Sequence, residues 1–174
     1  HEIKCIIYEM LKVLREVNYS VVIEALGDDE VGTDILITNM EGLKEHQQCK
    51  IRNASKEYWT ISDLNSRGIL KSWKKHLERE NNRNVSLVSP IGCSYIVDLH
   101  ERAANTSENP FDFYTYQIKN NSSEFYKFYK DFCEAMGLES EEISGITRSI
   151  DFFKRIYLKQ MSEYTLKESI EQEI

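Results

Sequence analysis

The sequence lacks several features that would assign it to a common class. No apolar run approaches the ~18 residues that a membrane-spanning helix needs, so we predict no transmembrane segment. The N-terminal stretch mixes charged with apolar residues and has no h-region, so we do not expect it to be a secretory signal peptide. No P-loop, GxSxG or GxGxxG motif occurs, so the common nucleotide-binding and serine-hydrolase signatures are absent.

Paired cysteines are also absent. The four cysteines stand about forty residues apart, with no CxxC pair among them. This spacing favours reduced, buried thiols over disulfides or a zinc site, so we expect a cytoplasmic protein. The chain begins at His1 rather than Met, and we expect it to be a segment of a longer protein.

What is present is an uneven charge. The 174 residues carry a formal net charge of −7, and 41% of them are hydrophobic, enough for one globular core. Residues 44–84 hold 10 bases and 5 acids, whereas residues 1–43 and 95–174 each have a balance of −6. A basic middle between acidic flanks predicts an anion-binding face.

Hydrophobic periodicity predicts an α/β fold with the element order α-β-β-β-α-β-α-β-α-α. We predict helices over 2–16, 62–80, 95–104, 123–136 and 141–160, strands over 19–25, 33–38, 45–52, 85–89 and 111–118, and a further helix in the tail 161–174. The first three strands should form an antiparallel meander. Thr60 and Asp63 predict a capping box before the second helix, and Gly137 a helix end.

Four polar residues on the meander stand out, namely Glu24, Asp34, Gln48 and Lys50. Side chains at i and i+2 of a strand share a face, so Gln48 and Lys50 should point together while Cys49 and Ile51 point into the core. An antiparallel ladder would bring Asp34 to the same surface, and Glu24 closes the preceding strand.

This set suits a divalent cation that holds a phosphodiester. Asp34 offers a hard carboxylate oxygen and Gln48 a neutral one, as Mg²⁺ prefers. Lys50 could stabilise charge that develops on the phosphate. The competing interpretation is a polar strand face exposed to water, with Lys50 a solubilising residue.

Asp34, thirteen intervening residues and then Gln48-Cys49-Lys50 resemble the PD-(D/E)xK restriction-endonuclease-like superfamily in its QxK variant. More narrowly, VVIEALGDDEVGTDILI, HQQCKIR and YWTISDL resemble the double-stranded DNA endonuclease domain of bacterial antiphage effectors. The resemblance implies an αβββαβ core with a mixed sheet flanked by helices. It covers residues 1–118 best, as a nuclease core. Residues 119–174 would be C-terminal helices that pack on the core and lead to a missing domain.

The resemblance also implies an activity and partners. It implies Mg²⁺- or Mn²⁺-dependent cleavage of double-stranded DNA with little sequence specificity. It further implies a fused cyclic-oligonucleotide sensor or STAND-type ATPase, and a homo-oligomer in the active state. Gln48 stands where Asp or Glu is more common, which removes one metal-binding charge. Glu24 or Glu9 would have to replace it, and both alternatives stay open. For Glu9, the interpretation that its position favours is a solvated residue off the apolar stripe of the first helix.

A basic helix follows the QxK strand. Arg67, Lys71, Lys75 and Arg79 recur every four residues, with Lys74 beside them and Arg52 nearby. Such a surface could contact DNA phosphates regardless of sequence, or could be an ordinary solvated face. Two other functions remain open: a degenerate nuclease fold that binds nucleic acid without cutting it, and an assembly module that uses the acidic terminal helices.

Overall fold

A computed structural model describes residues 1–51, 57–106 and 109–173 of the protein. Within them, five strands form one sheet in the spatial order β1-β2-β3-β4-β5. The strands are β1 (Asn18–Ile23), β2 (Ile35–Asn39), β3 (Lys44–Cys49), β4 (Arg83–Ser89) and β5 (Ile156–Gln160). The predicted antiparallel meander β1-β2-β3 is confirmed, whereas β4 pairs parallel with β3 and β5 with β4.

Helices cover both faces of this mixed sheet, so the fold is α/β. They are α1 (Glu2–Leu14), α2 (Ile61–Ser66), α3 (Ile69–Arg79), α4 (Ser94–Ala104), α5 (Pro110–Asp112), α6 (Ser123–Met136), α7 (Ile143–Lys154) and α8 (Glu163–Glu173). The Thr60–Asp63 capping box is present at the start of α2, and Gly137 ends α6 in the left-handed conformation, both as predicted. Among the described residues, no helix is long and apolar enough to cross a bilayer.

The two faces of the sheet pack into two separate hydrophobic clusters. On the α3 face, Val85 and Leu87 of β4 pack with Trp73 and Leu77 in the larger core, which also includes side chains of α4, α6 and α7. On the α1 face, Cys49 and Val88 pack with Cys5 of α1 and Leu166 of α8.

The predicted helix over 62–80 is two helices. Gly68 separates α2 from α3 with a left-handed φ of 71°. Because a non-glycine residue is strained in that region, glycine allows the chain to change direction there. The apolar side chains Ile69, Leu70, Trp73 and Leu77 of α3 are all buried.

The predicted strand over 111–118 is wrong. Asn109 accepts a hydrogen bond from the Phe111 N–H, and Pro110 occupies the first helical turn, so α5 begins there. The chain continues as a π-helical segment over Phe113–Lys119. Aromatic composition favoured a strand, but the local cap starts a helix.

The predicted helix over 141–160 is wrong from residue 155 onward. α7 ends at Lys154, and β5 follows as an edge strand parallel to β4. Arg155 fixes this junction, because its guanidinium donates to the backbone carbonyls of Leu77, Glu80 and Arg83 at 3.0–3.2 Å. The sheet therefore includes a strand from the region after residue 118.

α1 turns Cys5 and Glu9 towards the sheet and buries both. The Glu9 carboxylate accepts hydrogen bonds from Lys12 Nζ at 3.2 Å and Asn18 Nδ2 at 3.1 Å. The interpretation of Glu9 as a solvated residue is therefore wrong. Much of the helix's apolar stripe lies on the opposite, exposed side.

Candidate functional site

Asp34 and Lys50 lie in contact where two neighbouring strands end. Asp34 immediately precedes β2 and Lys50 immediately follows β3, and because these strands are antiparallel the two positions are adjacent. Lys50 Nζ is 3.0 Å from Asp34 Oδ2, and the Cys49 backbone N–H donates to the same oxygen at 2.7 Å. Both side chains are only partly buried, so the pair can be reached from solvent.

Gln48 lies on the same sheet face but deeper. It is 4% exposed, and its Oε1 is buried without a hydrogen-bond partner among the described residues. The amide lies beside Gly32 and Ser72: a Cβ added to Gly32 would be 2.6 Å from Gln48 Nε2 and 2.5 Å from Ser72 Oγ. Gly32 also has a left-handed φ of 63°, so glycine is required there for two reasons.

The predicted alternation of side chains along β3 holds only as far as the strand does. Cys49 is buried on the α1 face, opposite Gln48, as predicted. Ile51 was expected to point into the core as well, but it is 52% exposed. The ladder ends at Cys49, so the period of two no longer dictates the direction of Ile51.

Glu24 is next to Asp34 through its backbone rather than its side chain. The Glu24 N–H donates to the Asp34 carbonyl oxygen at 3.4 Å, and Glu24 adopts a left-handed φ of 51°. Its side chain is exposed to solvent. Glu24 thus lies beside the Asp34–Lys50 pair, without a side-chain contact that fixes it there among the described hydrogen bonds.

Glu9, the other proposed acidic ligand, belongs to the α1 face. It lies one helical turn from Cys5, which packs against Cys49, whereas Gln48 points to the α3 face. The charge of Glu9 acts instead on Lys159, whose pKa is raised chiefly by Glu45 and then by Glu9, against the effect of burial. The structure does not bring Glu9 together with Asp34.

A buried histidine pair beside the site was not anticipated. The rings of His46 and His76 stack at 3.7 Å between centroids, with 15° between their planes. Thr33, next to Asp34 in sequence, places its hydroxyl 3.1 Å from His46 Nδ1 and 3.2 Å from His76 Nε2. His46 precedes Gln48 by two residues, so strand alternation could have placed it on this face, but no spacing motif marks the pair.

The histidine pair is electrically neutral at pH 7. Arg83 Nη1 lies 2.9 Å from His46 Nε2 and can only donate, so that nitrogen must accept. Burial, His76 and Arg83 lower the pKa of His46 to about 3. Burial also lowers the pKa of His76.

Around this pair, the segment 27–33 is held against α3 and β4. Asp29 Oδ1 accepts from Arg83 Nη1 at 2.5 Å, and Asp28 accepts from Arg79 Nη2 at 2.8 Å. The Val31 carbonyl accepts from Ser72 Oγ at 2.8 Å and from His76 Nε2 at 2.9 Å. These contacts fix the chain immediately before Asp34.

The predicted basic surface is smaller than the four-residue spacing of its cations in the sequence suggests. Lys71 and Lys75 are exposed on α3, each one residue before a side chain that contacts segment 27–33. Arg79 is engaged by Asp28, and Arg67 lies beyond the Gly68 break with its guanidinium over the Trp59 ring. Lys74 is half-buried beside Gly137, and Arg52 lies outside the described residues.

No three His, Cys, Asp or Glu side chains converge on a common point in the described part of the chain. Comparison of the chain with protein-family models, with curated protein sequences and with solved structures found no match.

Proposed function

We propose that this chain is a metal-dependent endodeoxyribonuclease domain, with Asp34, Gln48 and Lys50 at its centre. The observation that carries the proposal is the contact of 3.0 Å between Lys50 and Asp34, beside the buried amide oxygen of Gln48, which has no hydrogen-bond partner among the described residues. A carboxylate and an amide oxygen can hold a divalent cation, and an ammonium group beside them can stabilise the charge that develops on a phosphodiester when water attacks it.

The topology supports the same proposal. A helix, an antiparallel three-stranded meander, a helical segment and a strand parallel to β3 follow one another in the chain. This order is compatible with the αβββαβ core that the restriction-endonuclease-like resemblance implies. The proposed site lies at the end of β3, where the chain leaves the sheet for α2 and α3.

The donor atoms fit a hard divalent cation such as Mg²⁺ or Mn²⁺. Asp34 supplies a carboxylate, Gln48 a neutral oxygen that has no other partner among the described residues, and the exposed Glu24 a second carboxylate. Bound there, the cation would supply a Lewis acid that withdraws charge from the phosphodiester. Lys50 would stabilise negative charge on the phosphate, and Lys71 and Lys75 would hold the DNA backbone.

The domain would then act on double-stranded DNA in the cytoplasm, as the effector part of a larger antiphage protein with a sensor or ATPase domain. That context rests on the sequence resemblance alone. The chemistry of cleavage does not require it.

A non-cleaving role is the second candidate, and two observations favour it. The Asp34 carboxylate is already engaged by the Cys49 N–H and Lys50, as in a purely structural cap. Gln48 is almost fully buried and carries no charge. A chain of this kind would bind DNA through Lys71 and Lys75 and leave it intact.

Plasmid relaxation separates the two candidates. A nuclease converts supercoiled plasmid to nicked or linear DNA when Mg²⁺ or Mn²⁺ is added, and loses that activity in EDTA. A non-cleaving module retards the same plasmid on a gel with no change of topology under either condition. The second result would overturn the nuclease proposal.

A further inference from the structure

The outer side of α1 carries an apolar stripe that remains largely exposed. Ile3, Ile7, Met10 and Leu14 are exposed by 72%, 41%, 50% and 79%, and Val17, just past the helix end, by 57%. The opposite side of the helix buries Cys5 and the charged Glu9 against the sheet. α1 is therefore apolar towards solvent, the reverse of an ordinary surface helix.

The spacing of the stripe indicates what would cover it. Its four members on α1, Ile3, Ile7, Met10 and Leu14, are separated by four, three and four residues, which is the a/d spacing of a seam between two helices. Lys4 and Arg15 do not interrupt the seam, because they pair with Glu163 and Glu173 of α8. Scattered apolar side chains on a surface are ordinary, but four at this spacing are not.

The exposed area approaches what a stable interface needs. With about 200 Å² for one fully exposed large side chain, the five residues present roughly 600 Å². That is at the upper end for the largest apolar patch of a monomer, about 600 Å². It is also most of the roughly 800 Å² that each partner buries in a standard interface, whose remainder is a polar rim.

We infer that this stripe is the contact between two copies of the chain, joined as an antiparallel α1–α1 pair about a twofold axis. No other helix in the described residues exposes apolar side chains at this spacing, so the complementary seam is α1 itself. Twofold symmetry makes a surface its own partner. The antiparallel arrangement aligns the helix dipoles favourably and places the two most exposed side chains, Ile3 and Leu14, against each other.

This inference does not depend on the proposed nuclease activity, and its test measures no cleavage. Light scattering after size exclusion should give twice the 20.5 kDa of one chain. The double variant Ile3→Glu/Leu14→Glu should shift the mass to one chain, with an unchanged far-UV circular dichroism spectrum. The control Phe111→Glu/Ile143→Glu places the same charges at residues of similar exposure on α5 and α7 and should stay dimeric.

Cross-linking tests the orientation. All four native cysteines are buried, so an introduced surface thiol is the reactive one. A short bifunctional thiol reagent should join Ile3→Cys chains to Leu14→Cys chains. It should not join two Ile3→Cys chains, which an antiparallel pair separates by roughly 16 Å along the axis. A wild-type monomer at high micromolar concentration, or a dimer that Ile3→Glu/Leu14→Glu leaves intact, would overturn the inference.

Discussion

Hydrogen bonds to its side chain and to its backbone fix the position of Asp34. Its carboxylate accepts from the Cys49 N–H at 2.7 Å and from Lys50 at 3.0 Å, and its backbone N–H donates to the Gln47 carbonyl. The residue before it, Thr33, is fixed by both histidines. Single residues away from the catalytic candidates therefore decide where the carboxylate lies.

Gly32 is one such residue, and Gly32→Ala should destabilise the fold. Its Cβ would lie 2.5 Å from Ser72 Oγ and 2.6 Å from Gln48 Nε2, and its φ is left-handed. We expect a decrease in unfolding free energy of about 1–2 kcal/mol from the backbone and about 1–3 kcal/mol more from the overpacking. Urea unfolding measures the total.

Gly42→Ala is the matched control for this prediction. Gly42 has a similar φ of 82°, but nothing lies within 4 Å of an added Cβ. This variant should show only the backbone part of the destabilisation. Equal destabilisation at the two positions would mean that the close packing around Gln48 is not as described.

The buried histidines predict a loss of stability in acid. The folded-state pKa of His46, about 3, lies below the ordinary value of 6.5, so the unfolded chain binds more protons between those values. The contribution of His46 to stability is therefore complete above pH 6.5 and falls as the pH decreases. From pH 7 to pH 5, His46 alone should cost about 2 kcal/mol of unfolding free energy.

Urea unfolding at both pH values measures this slope. In His46→Gln the difference between pH 7 and pH 5 should shrink by about 2 kcal/mol, whatever the absolute stability of the variant. An unchanged difference would show that His46 is not held neutral in the folded protein.

Among the elements, α3 links the core to the candidate site. Its buried side carries Trp73 and Leu77, and Ser72 and His76 hold segment 27–33. Lys71 and Lys75 are exposed beside these positions. The helix can therefore present cations close to Asp34 without loss of its packing.

Lys71→Glu/Lys75→Glu should weaken DNA binding about equally for all sequences. The slope of log K against log salt should become shallower by about one for each lysine that no longer meets a phosphate, and so by about two in this variant. Fluorescence anisotropy with two unrelated duplexes, over a salt series, measures both effects. Lys127→Glu/Lys130→Glu, the same change on α6, should leave DNA binding nearly intact. If both variants weaken binding equally, the exposed side of α3 is an ordinary solvated surface.

The sequence predicts a helix or strand well when the interactions that form it are local in the chain. The meander, α1, α4, α6 and both caps follow from periodicity and cap residues, and the structure has them. β5 depends on Arg155, which reaches the carbonyls of Leu77 in α3, of Glu80 between α3 and β4, and of Arg83 at the start of β4, all more than seventy residues away in sequence. A local sequence pattern carries no information about such a contact.

The same limit applies to the site. Strand alternation places Asp34, Gln48 and Lys50 on one surface, and the Asp34–Lys50 contact is present. The burial of Gln48, the stacked histidines and the inward turn of Glu9 depend on which helix covers which face. That information lies in tertiary packing, since each residue alone is compatible with a solvated position.

Across the whole molecule, positive and negative charges are unevenly distributed. Residues 44–84 carry a balance of +5 within a chain of net −7. Part of that positive charge is neutralised internally, since Arg79 and Arg83 pair with Asp28 and Asp29. One chain therefore presents a small cationic surface, and two chains joined through α1 would present two.

The cleavage of supercoiled plasmid in Mg²⁺ by wild type, Lys50→Ala and Lys127→Ala is the most direct test of the proposed nuclease centre. Lys127 is a matched control, because it also pairs with an aspartate, at 2.5 Å, but on α6. We predict that Lys50→Ala abolishes cleavage while its unfolding free energy changes by less than about 1 kcal/mol, and that Lys127→Ala cuts at the wild-type rate. Cleavage by Lys50→Ala at the wild-type rate would contradict the assignment of Asp34, Gln48 and Lys50 as the catalytic centre.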